Sequence, residues 1–294
     1  MRFATVSTPG ALPRPALLSE DRVFPLPLPD MLAVIRAGAQ AAAKTAGGES
    51  YEMSEVKFHA PLIPGTLRDA YAFEQHVRTA NKNRGREVPP EWYQFPVFYF
   101  TNPASIFGPD EIIPYPHYTS ALDYELEIAV IIGRDGRDIQ PESALTHIFG
   151  YTIFNDWSAR DVQRTEMKVG LGPAKAKDFA SSLGPVVVTP EAIAARAQDR
   201  PGVYDLQMAA RVNGVEMSRG NFKDIFWSFG EIIARASDGV ELHAGDVIGS
   251  GTVGTGCLLE LTKAEGPWLA PGDVVELEIE HIGILKNTIG KKAI

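Results

Sequence analysis

Hydrophobic and polar positions alternate one by one along residues 122–133, as side chains do on a β-strand. One face of this predicted strand is apolar and is expected to lie on the core; its residues are Tyr124, Leu126, Ile128, Val130 and Ile132. The opposite face carries Asp123, Glu125 and Glu127, with neighbours about 7 Å apart. Carboxylates that close repel each other, so one would be neutral unless a cation or water lay among them. The pattern therefore fits either an exposed acidic strand end or part of a metal site.

Further strands are predicted on the C-terminal side of this segment. Residues 149–154 are apolar and indicate a buried strand that ends at Asp156. Residues 206–212 and 215–217 flank Asn213-Gly214, a dipeptide typical of a two-residue hairpin turn. The chain's 22 prolines and 27 glycines are spread along its length, as many short strands and turns require. Together these patterns predict an α+β fold that is predominantly β.

Several segments have helical character, among them the following three. Residues 30–46 begin with an aspartate, consist of helix formers and are followed by two glycines. Residues 68–77 are predicted to form a helical turn or two, which would place Asp69 and His76 on the same side. Residues 222–236 have the apolar spacing of an amphipathic helix.

Two polar or glycine-rich segments are predicted to be loops. Residues 78–95 form either a solvated surface loop or an electropositive lid over an anionic ligand. Their cationic residues are Arg78, Lys82, Arg84 and Arg86. The glycine-rich residues 247–256 lack both the G-x-G-x-x-G pattern before a helix and a Walker lysine, so a nucleotide site is excluded there.

Length and composition suggest a large catalytic domain with a small appendage. The 294 residues, 45% of them hydrophobic, can bury a substantial core. We assign residues 1–55 to a small N-terminal domain, in which nothing looks chemical. Residues 56–294 are assigned to the catalytic domain.

The charge and cysteine content exclude several classes of function. A net charge of -9 and a pI near 5.2 argue against nucleic acid and anionic membrane surfaces as partners. No stretch approaches the ~18 apolar residues of a membrane span, and the N-terminus lacks the apolar region of a signal peptide. The single cysteine, Cys257, fits a reducing compartment. A cytoplasmic location is therefore expected.

Candidate chemistry begins with the acidic residues. Glu125 and Glu127 on one strand face, with Asp156 at the end of a neighbouring strand, form an all-oxygen set. Such a set suits Mg²⁺, Ca²⁺ or Mn²⁺ rather than zinc, which prefers histidine or cysteine. Asp69 could supply a fourth carboxylate. Acids at strand ends are also commonly just solvated, so the residues alone leave both interpretations open.

Two further residues are candidates for acid–base chemistry. His76 is the histidine nearest to the middle of the inferred set, although a lone histidine is more often a surface or core residue than a base. Glu260 is an acid among apolar neighbours in residues 257–261, a predicted strand, and would need a charged or hydrogen-bonding partner there. Pattern alone does not establish that the two residues meet.

Several sequence motifs resemble those of the fumarylacetoacetate hydrolase family over about residues 56–290. The motifs are Asp-Tyr-Glu-Leu-Glu at 123–127, Asn-Asp-Trp-Ser-Ala-Arg-Asp-Val-Gln at 155–163, Lys-Asp-Phe at 177–179, and Gly251-Thr252 preceding Leu-Glu-Leu at 259–261. The resemblance implies a mixed β-sandwich roll. The short N-terminal unit differs from the larger N-terminal domain of the eukaryotic enzyme. It also implies a homodimer.

The resemblance also implies a role for individual residues. Three residues match the family's metal ligands, namely Glu125, Glu127 and Asp156. Asp69 matches the additional acid of the eukaryotic-type hydrolase and is a fourth candidate ligand. His76 matches the catalytic histidine and Glu260 the glutamate that orients it. The residues that match groups around the substrate oxygens are Lys177, Arg160 and Gln163, and other substrate contacts are matched by Tyr71 and Thr252. A divalent cation, Mg²⁺ before Ca²⁺ or Mn²⁺, is the implied cofactor.

Two positions depart from patterns within the family. Thr79 stands three residues after His76, where the acylpyruvase branch has a glutamate. This departure favours the type of hydrolase with a remote glutamate, a role that Glu260 can fill. Met167 stands where that hydrolase has a tyrosine, so the substrate pocket is expected to differ.

The expected function is metal-dependent hydrolysis of a carbon–carbon bond in a β-diketo acid, such as fumarylacetoacetate or an acylpyruvate. His76 would take a proton from water, and Lys177 would stabilise the oxyanion and then the enolate. The alternative is decarboxylation or tautomerisation of a keto acid such as oxaloacetate. A third possibility is a non-catalytic binder of small molecules on the same scaffold. In each case the partner is a small anionic keto acid.

Overall fold

The computed structural model describes residues 1–83 and 85–292 as a strand-rich α+β structure, which confirms the predicted fold class. The strands are β1 (Arg2–Ser7), β2 (Arg14–Ser19), β3 (Arg22–Pro25), β4 (Tyr51–Glu52), β5 (Lys57–His59), β6 (Leu67–Ala70), β7 (Phe98–Thr101), β8 (Ile106–Phe107), β9 (Ile112–Tyr115), β10 (Leu122–Asp123), β11 (Leu126–Ile132), β12 (Ile148–Asp156), β13 (Ser158–Ala159), β14 (Ser181–Val188), β15 (Gln207–Val212), β16 (Val215–Asn221), β17 (Val247–Gly249), β18 (Val274–Ile279) and β19 (Gly283–Lys292). The α-helices are α1 (Met31–Ala37), α2 (Ala39–Ala43), α3 (Glu74–Asn83), α4 (Pro141–Ala144), α5 (Arg160–Val169), α6 (Phe229–Ser237) and α7 (Leu258–Leu261). Short 3₁₀ helices occupy Met53–Glu55, Pro90–Tyr93, Leu145–His147, Pro190–Arg196 and Phe222–Asp224.

Most strands belong to one large sheet with the hydrogen-bonded order β4-β3-β2-β1-β14-β12-β11-β17-β6-β7. In the same sheet β5 pairs with β1 and β8 with β14, while β16-β15-β18-β19-β9 form a second sheet and β10 pairs with β13. The N-terminal strands belong to the large sheet because β1 is antiparallel to β14, with Arg2 opposite Val188. The division between residues 1–55 and 56–294 stays a prediction, and strands from both sides of it share this sheet.

Apolar side chains cover both faces of the large sheet. On one face, Ile128 of β11 belongs to a buried cluster that includes Leu277 of the second sheet. On the other face, Ile131 of β11 lies in a cluster with Val34 of α1. Each fully buried aliphatic side chain of this kind contributes about 1.5–3 kcal/mol. The large sheet is therefore a central layer between the second sheet and the N-terminal helices.

The alternating segment at residues 122–133 is a strand interrupted once, between β10 and β11. β11 pairs antiparallel with β12, and Glu127 lies opposite Phe154. The acidic face is buried: Asp123 is 0%, Glu125 5% and Glu127 0% exposed. The hypothesis of an exposed acidic strand end is therefore wrong.

Two strand predictions agree closely with the structure. The predicted strand at residues 149–154 is β12, which ends at Asp156 as expected. The hairpin of β15 and β16 turns at Asn213 and Gly214, whose φ angles are 52° and 78°. Both values lie in the left-handed region that the preferred two-residue hairpin turn requires.

The predicted helix at residues 68–77 is wrong over its first part. Residues 67–70 form β6, which is parallel to β17 and antiparallel to β7, with Asp69 opposite Gly249 and Tyr99. Pairing with two neighbouring strands outweighs the local helical preference. The helix α3 begins only at Glu74, so Asp69 and His76 do not lie on one helix.

The other two predicted helices are shorter than expected. The helix at residues 30–46 is capped by Asp30 as predicted, but Gly38, with φ 81°, divides it into α1 and α2. Of the helix at residues 222–236, only α6 is α-helical, and it begins at Phe229 after a capping box formed by Ser228. Unpredicted turn and cap geometry accounts for both differences.

Two further segments also differ from expectation. Residues 257–261 are not a strand, because Leu258–Leu261 form the short helix α7. The predicted loop at residues 78–95 begins inside α3 and contains a 3₁₀ turn at Pro90–Tyr93. Its Arg84 lies outside the described residues. Within the part of the chain that is described, no helix is both long and apolar enough to span a membrane.

Candidate active site

Carboxylates from three strands and one strand break meet at one end of the large sheet. Asp69 lies on β6, Glu127 near the start of β11 and Asp156 at the end of β12. Glu125 lies in the break between β10 and β11, and its backbone N–H donates to Asn155 Oδ1 at 2.9 Å. Oxygen atoms of Asp69, Glu125 and Asp156 all lie within 4.8 Å of one another. The structure therefore brings together the carboxylates that the sequence analysis selected.

A glycine loop after β17 holds two of these carboxylates. The Gly251 N–H donates to Glu127 Oε2 at 2.9 Å and to Asp69 Oδ1 at 3.1 Å. The shared donor therefore holds Asp69 and Glu127 side by side. Gly251 has a φ of 80°, and a Cβ there would lie 2.5 Å from the carbonyl oxygen of Ala70. Only glycine lets the backbone approach this closely.

Burial, mutual repulsion and neighbouring cations shift the pKa values of these carboxyl groups in different directions. Burial, with the neighbouring Asp156, raises the pKa of Asp69 to about 8. Burial and the nearby Asp69 and Glu125 raise the pKa of Glu127 well above its ordinary value. Burial would also raise the pKa of Glu125, but Lys177 and Arg160 hold it below its usual range. Without a metal ion at the site, charged and neutral carboxyl groups therefore coexist there.

Lys177 is the cation at the centre of the cluster. Its Nζ lies 2.6 Å from Glu125 Oε2 and 2.6 Å from Asp156 Oδ2, and its side chain is buried. Burial alone would lower the pKa of Lys177, but Asp156 and Glu125 raise it above its ordinary value. The side chain is therefore a fixed ammonium group with its charge-assisted donors aimed into the site.

The donor atoms fit a divalent cation. Asp156 Oδ1 is buried and has no hydrogen-bond partner among residues 1–83 and 85–292. Its other oxygen accepts hydrogen bonds from Lys177 and from the Tyr99 hydroxyl. A buried acceptor without a partner, beside other carboxylate oxygens, is the environment that Mg²⁺ or Mn²⁺ requires. The residues Asp69, Glu125, Glu127 and Asp156 could hold such an ion.

A histidine–glutamate pair lies beside the carboxylates. His76, on α3, is hydrogen-bonded through Nδ1 to Glu260 Oε1 on α7. An ionised carboxylate can only accept, so the imidazole proton is assigned to Nδ1 and the lone pair to Nε2. Glu260 also accepts from the Thr255 N–H at 3.2 Å, and the Tyr71 ring meets His76 edge-on at 5.4 Å. This arrangement leaves Nε2 able to accept a proton.

Arg160 connects several parts of the site. Its guanidinium donates to Glu125 Oε1 at 2.8 Å, to Asp123 Oδ2 at 2.8 Å and to Gln163 Oε1 at 3.0 Å. Asp123, at 0% exposure, also accepts from the first two N–H groups of α7, those of Leu258 and Leu259, at 2.8 and 3.0 Å. Asp123 thus joins Arg160 to the helix that carries Glu260.

The structure brings every predicted site residue to this end of the sheet, while their roles stay predictions. Thr252 completes the set, with its hydroxyl 3.4 Å from Glu127 Oε1. Sequence reasoning missed Tyr99, the partner of Asp156, and the link made by Asp123. Tyr99 lies on β7, and only the pairing of β7 with β6 places it opposite Asp69. The sequence had no pattern that specified this pairing.

Cationic residues of the predicted lid line an open pocket of about 660 Å³ beside α3. Arg78, Lys82 and Arg86 line it together with Tyr93. Arg78 also forms an ion pair with Glu74, at 2.7 Å. The segment therefore presents exposed cationic side chains beside α3.

Comparison with known proteins identifies the family of the chain. A family profile described as Fumarylacetoacetate (FAA) hydrolase C-terminal matches residues 66–290. Oxaloacetate tautomerase YisK of Bacillus subtilis is 36% identical over 249 residues, which cover 83% of this chain and 76% of that protein. Fumarylacetoacetase of Arabidopsis thaliana is 31% identical over 260 residues, which cover 72% of this chain and 62% of that protein.

The fold also matches solved structures. The fumarylacetoacetate hydrolase from psychrophilic Exiguobacterium antarcticum aligns with a TM-score of 0.78 and 27% sequence identity. The alignment covers 99% of this chain and 100% of that chain. The likeness therefore includes the N-terminal strands as well as the region that contains the site.

Proposed function

Since the chain belongs to the fumarylacetoacetate hydrolase family, we propose that it is a metal-dependent hydrolase that cleaves a carbon–carbon bond of a β-diketo acid. The observation that carries this proposal is the hydrogen bond between His76 and Glu260 beside the carboxylate cluster. Hydrolysis needs a base that activates water, and this pair supplies one. The substrate class is an anionic diketo acid resembling fumarylacetoacetate or an acylpyruvate.

In the proposed reaction His76 accepts a proton from water at Nε2. Glu260 holds the imidazole in the required tautomer and stabilises the imidazolium that forms, because its oxygen accepts from Nδ1. The activated water attacks a substrate carbonyl group. The protonated imidazole can then return the proton to the carbon that leaves.

Lys177, Arg160 and Gln163 stabilise the negative charge that develops on oxygen. Lys177 and Arg160 are held in place by Glu125, at 2.6 and 2.8 Å, so neither reorganises during the reaction. Preorganised donors of this kind contribute about 10²–10³ in turnover each. Gln163 accepts from Arg160 through Oε1, which leaves its amide N–H₂ group as a further donor.

Asp69, Glu125, Glu127 and Asp156 would hold the divalent cation, for which Mg²⁺ is the first choice and Ca²⁺ or Mn²⁺ are alternatives. When bound, such a cation supplies Lewis-acid polarisation of carbonyl and enolate oxygens. The partnerless Asp156 Oδ1 supports this assignment.

The second candidate is decarboxylation or tautomerisation of a keto acid such as oxaloacetate. The similarity to an oxaloacetate tautomerase, at 36% identity over 83% of this chain, favours it. An enolate stabilised by Lys177 would serve both reactions. Tautomerisation and decarboxylation need no attacking water, so under this alternative Glu260→Gln should matter little.

A substrate panel distinguishes these functions. The purified protein is incubated with acylpyruvates, fumarylacetoacetate and oxaloacetate in the presence of Mg²⁺ or Mn²⁺, and the products are identified. Formation of two acids, with ¹⁸O from labelled water in one of them, supports the hydrolase. Release of CO₂, or enol–keto interconversion without ¹⁸O in a carboxylate, favours the second candidate. A non-catalytic binder would turn over none of the substrates.

The proposal includes a homodimer in the cytoplasm, as the resemblance to the family implies. Light scattering coupled to size-exclusion chromatography measures the mass directly. The chain mass is 32.0 kDa, so a dimer has twice that value. A peak at the chain mass across the working concentration range would contradict the dimer.

A further inference from the structure

A second group of possible metal ligands lies next to the carboxylate cluster and differs from it in chemistry. His76, Cys257 and Glu260 each offer one ligand atom, and these atoms all lie within 4.8 Å of one another. All three side chains are buried, at 6%, 0% and 6% exposure. The Cys257 thiol lies 3.9 Å from Glu260 Oε1, the same oxygen that accepts from His76 Nδ1.

The three atoms lie close enough together to surround one ion after local adjustment. Zinc bonds of ~2.0–2.3 Å place neighbouring ligand atoms about 3.4–3.6 Å apart. Here the sulfur–oxygen separation is 3.9 Å, and the nitrogen and oxygen are in hydrogen-bond contact. The nitrogen and oxygen would have to move apart, and the sulfur and oxygen slightly together, for all three atoms to surround one ion. The fourth position would be left for water, as in zinc sites with three protein ligands.

We propose that His76, Cys257 and Glu260 form an inhibitory site for a thiophilic divalent cation, of which Zn²⁺ is the type. Nitrogen, sulfur and carboxylate ligands select zinc, whereas the neighbouring all-oxygen set selects Mg²⁺ or Mn²⁺. The two clusters therefore bind different ions side by side. Zinc inhibits without displacing the ion held by the carboxylates.

The inhibition follows from the position of one proton. Zinc bonds to Nδ1 of His76, so the imidazole proton moves from Nδ1 to Nε2 and the ring stays neutral. The Cys257 thiol loses its proton to solvent, and Glu260 exchanges its hydrogen bond for a bond to the metal. With Nε2 protonated, His76 can no longer accept a proton from water. The binding step stands independently of the proposed function, whereas the inhibition rests on His76 being the base.

The binding step is tested with Co²⁺ as a spectroscopic substitute for zinc. The protein is first saturated with Mg²⁺ to fill the carboxylates, and Co²⁺ is then added with long incubation because the ligands are buried. A thiolate-to-cobalt charge-transfer band with intense tetrahedral d–d bands is expected at one equivalent. The bands should be absent in Cys257→Ser, whose folding is checked by circular dichroism. Wild-type protein without a thiolate band would overturn the site.

The inhibition is tested on whichever substrate of the panel is turned over, with Mg²⁺ in excess. Zinc is expected to inhibit the wild-type protein at about one equivalent. In Cys257→Ser the apparent zinc affinity should fall at least ~10-fold, while turnover without zinc is retained. Cys257→Ala serves as a second variant that lacks any oxygen donor. Equal inhibition of wild type and variants would mean that zinc acts at the carboxylates, which would overturn the inhibitory site.

Discussion

At the scale of single residues, the site contains carboxyl groups whose environments push their pKa values in opposite directions. Lys177 lies 2.6 Å from Glu125, which therefore stays ionised, whereas Asp69 and Glu127 both accept from the Gly251 N–H. Burial and like charge make the ionised forms of these two residues unfavourable. A divalent cation would remove that penalty, so protonation and metal binding are coupled.

This coupling predicts how stability depends on pH. Burial raises the pKa of Asp69 from 3.8 in the unfolded chain to about 8 in the folded protein. Between these values the folded state binds more protons than the unfolded state, so stability falls as pH rises through the window. Without divalent metal, the melting temperature is expected to fall from about pH 5 to about pH 8. Scanning calorimetry in chelator measures it.

Saturating Mg²⁺ should reduce this fall, because it binds the ionised carboxylates. At about 100 times the dissociation constant a ligand adds about 2.7 kcal/mol, or roughly 5–10 °C here. Asp69→Asn is the control, since it removes one of the carboxyl groups whose pKa is raised and should make the metal-free profile shallower. A melting temperature that is independent of both pH and Mg²⁺ would contradict a metal site at these carboxylates.

A second prediction concerns the proposed base. His76→Ala should lower turnover by about 100- to 10,000-fold, because a general base contributes about that factor. His117→Ala is the matched control: His117 is exposed and should tolerate the change. Initial rates are measured at saturating Mg²⁺ with the substrate that the panel identifies. Turnover within a few-fold of wild type in His76→Ala would remove the assignment.

At the scale of elements, the short helix α7 is anchored by Asp123. The carboxylate accepts hydrogen bonds from the N–H groups of Leu258 and Leu259, so it fixes the first turn of α7 and hence the position of Glu260. It also accepts from Arg160. One buried side chain therefore positions both the helix that carries Glu260, the partner of His76, and the Arg160 guanidinium group.

Asp123→Asn should therefore affect function as well as stability. The amide presents a donor to groups that donate, which costs about 1–3 kcal/mol of stability. Because Arg160 and Glu260 both shift, the kcat per folded molecule should also fall, by at least ~10-fold, and the pH–rate profile should move.

Asp246→Asn is a matched control for this variant. Asp246 is 3% exposed and also accepts from two backbone N–H groups, those of Thr66 and His243, at 3.0 and 2.9 Å. It lies 3.9 Å from Arg68. Asp246 directly precedes β17, whereas the glycine loop follows that strand. It should lose similar stability yet keep its kcat. Equal kcat values for the two variants would mean that Asp123 is only structural.

Prediction from sequence succeeded where the pattern along one segment decides the element. β11 alternates at its start and is apolar from Ile128 onward, and β12 ends at the polar pair Asn155 and Asp156. The hydrophobic pattern therefore located both strands. It failed at Asp69, because β6 has four residues and exists through its pairing with β17 and β7. It failed again at α7. The first turn of this helix is stabilised by Asp123, which lies 135 positions before Leu258 and 136 before Leu259. Contacts this distant carry no local pattern.

At the scale of the whole molecule, the candidate site draws on residues from 69 to 260 of the chain. Its residue types could be selected from sequence largely because the motifs resemble those of a known family. Physical pattern alone left an exposed acidic strand end as the competing interpretation. What decides between the two is burial in the assembled sheet, and burial depends on strands contributed by the entire chain, including β1.

The packing of β1 against β14 predicts that residues 1–55 unfold together with the rest of the chain. Phe3 is 0% exposed and lies in a cluster with Leu183 and Val187 of β14, and the Met1 amino group donates to Thr189 Oγ1 at 2.7 Å. Phe3→Ala should therefore cost about 3–5 kcal/mol.

Tryptophan fluorescence can determine whether the loss of stability extends to residues 56–294, because all four tryptophans lie in that range. If the large sheet unfolds as one unit, Phe3→Ala shifts the denaturant midpoint seen by fluorescence as much as the midpoint seen by circular dichroism. Leu12→Ala is the control, since Leu12 lies in the same segment and is 85% exposed, and it should leave both midpoints unchanged. A fluorescence midpoint unmoved by Phe3→Ala would instead mean that residues 1–55 unfold as a separate domain.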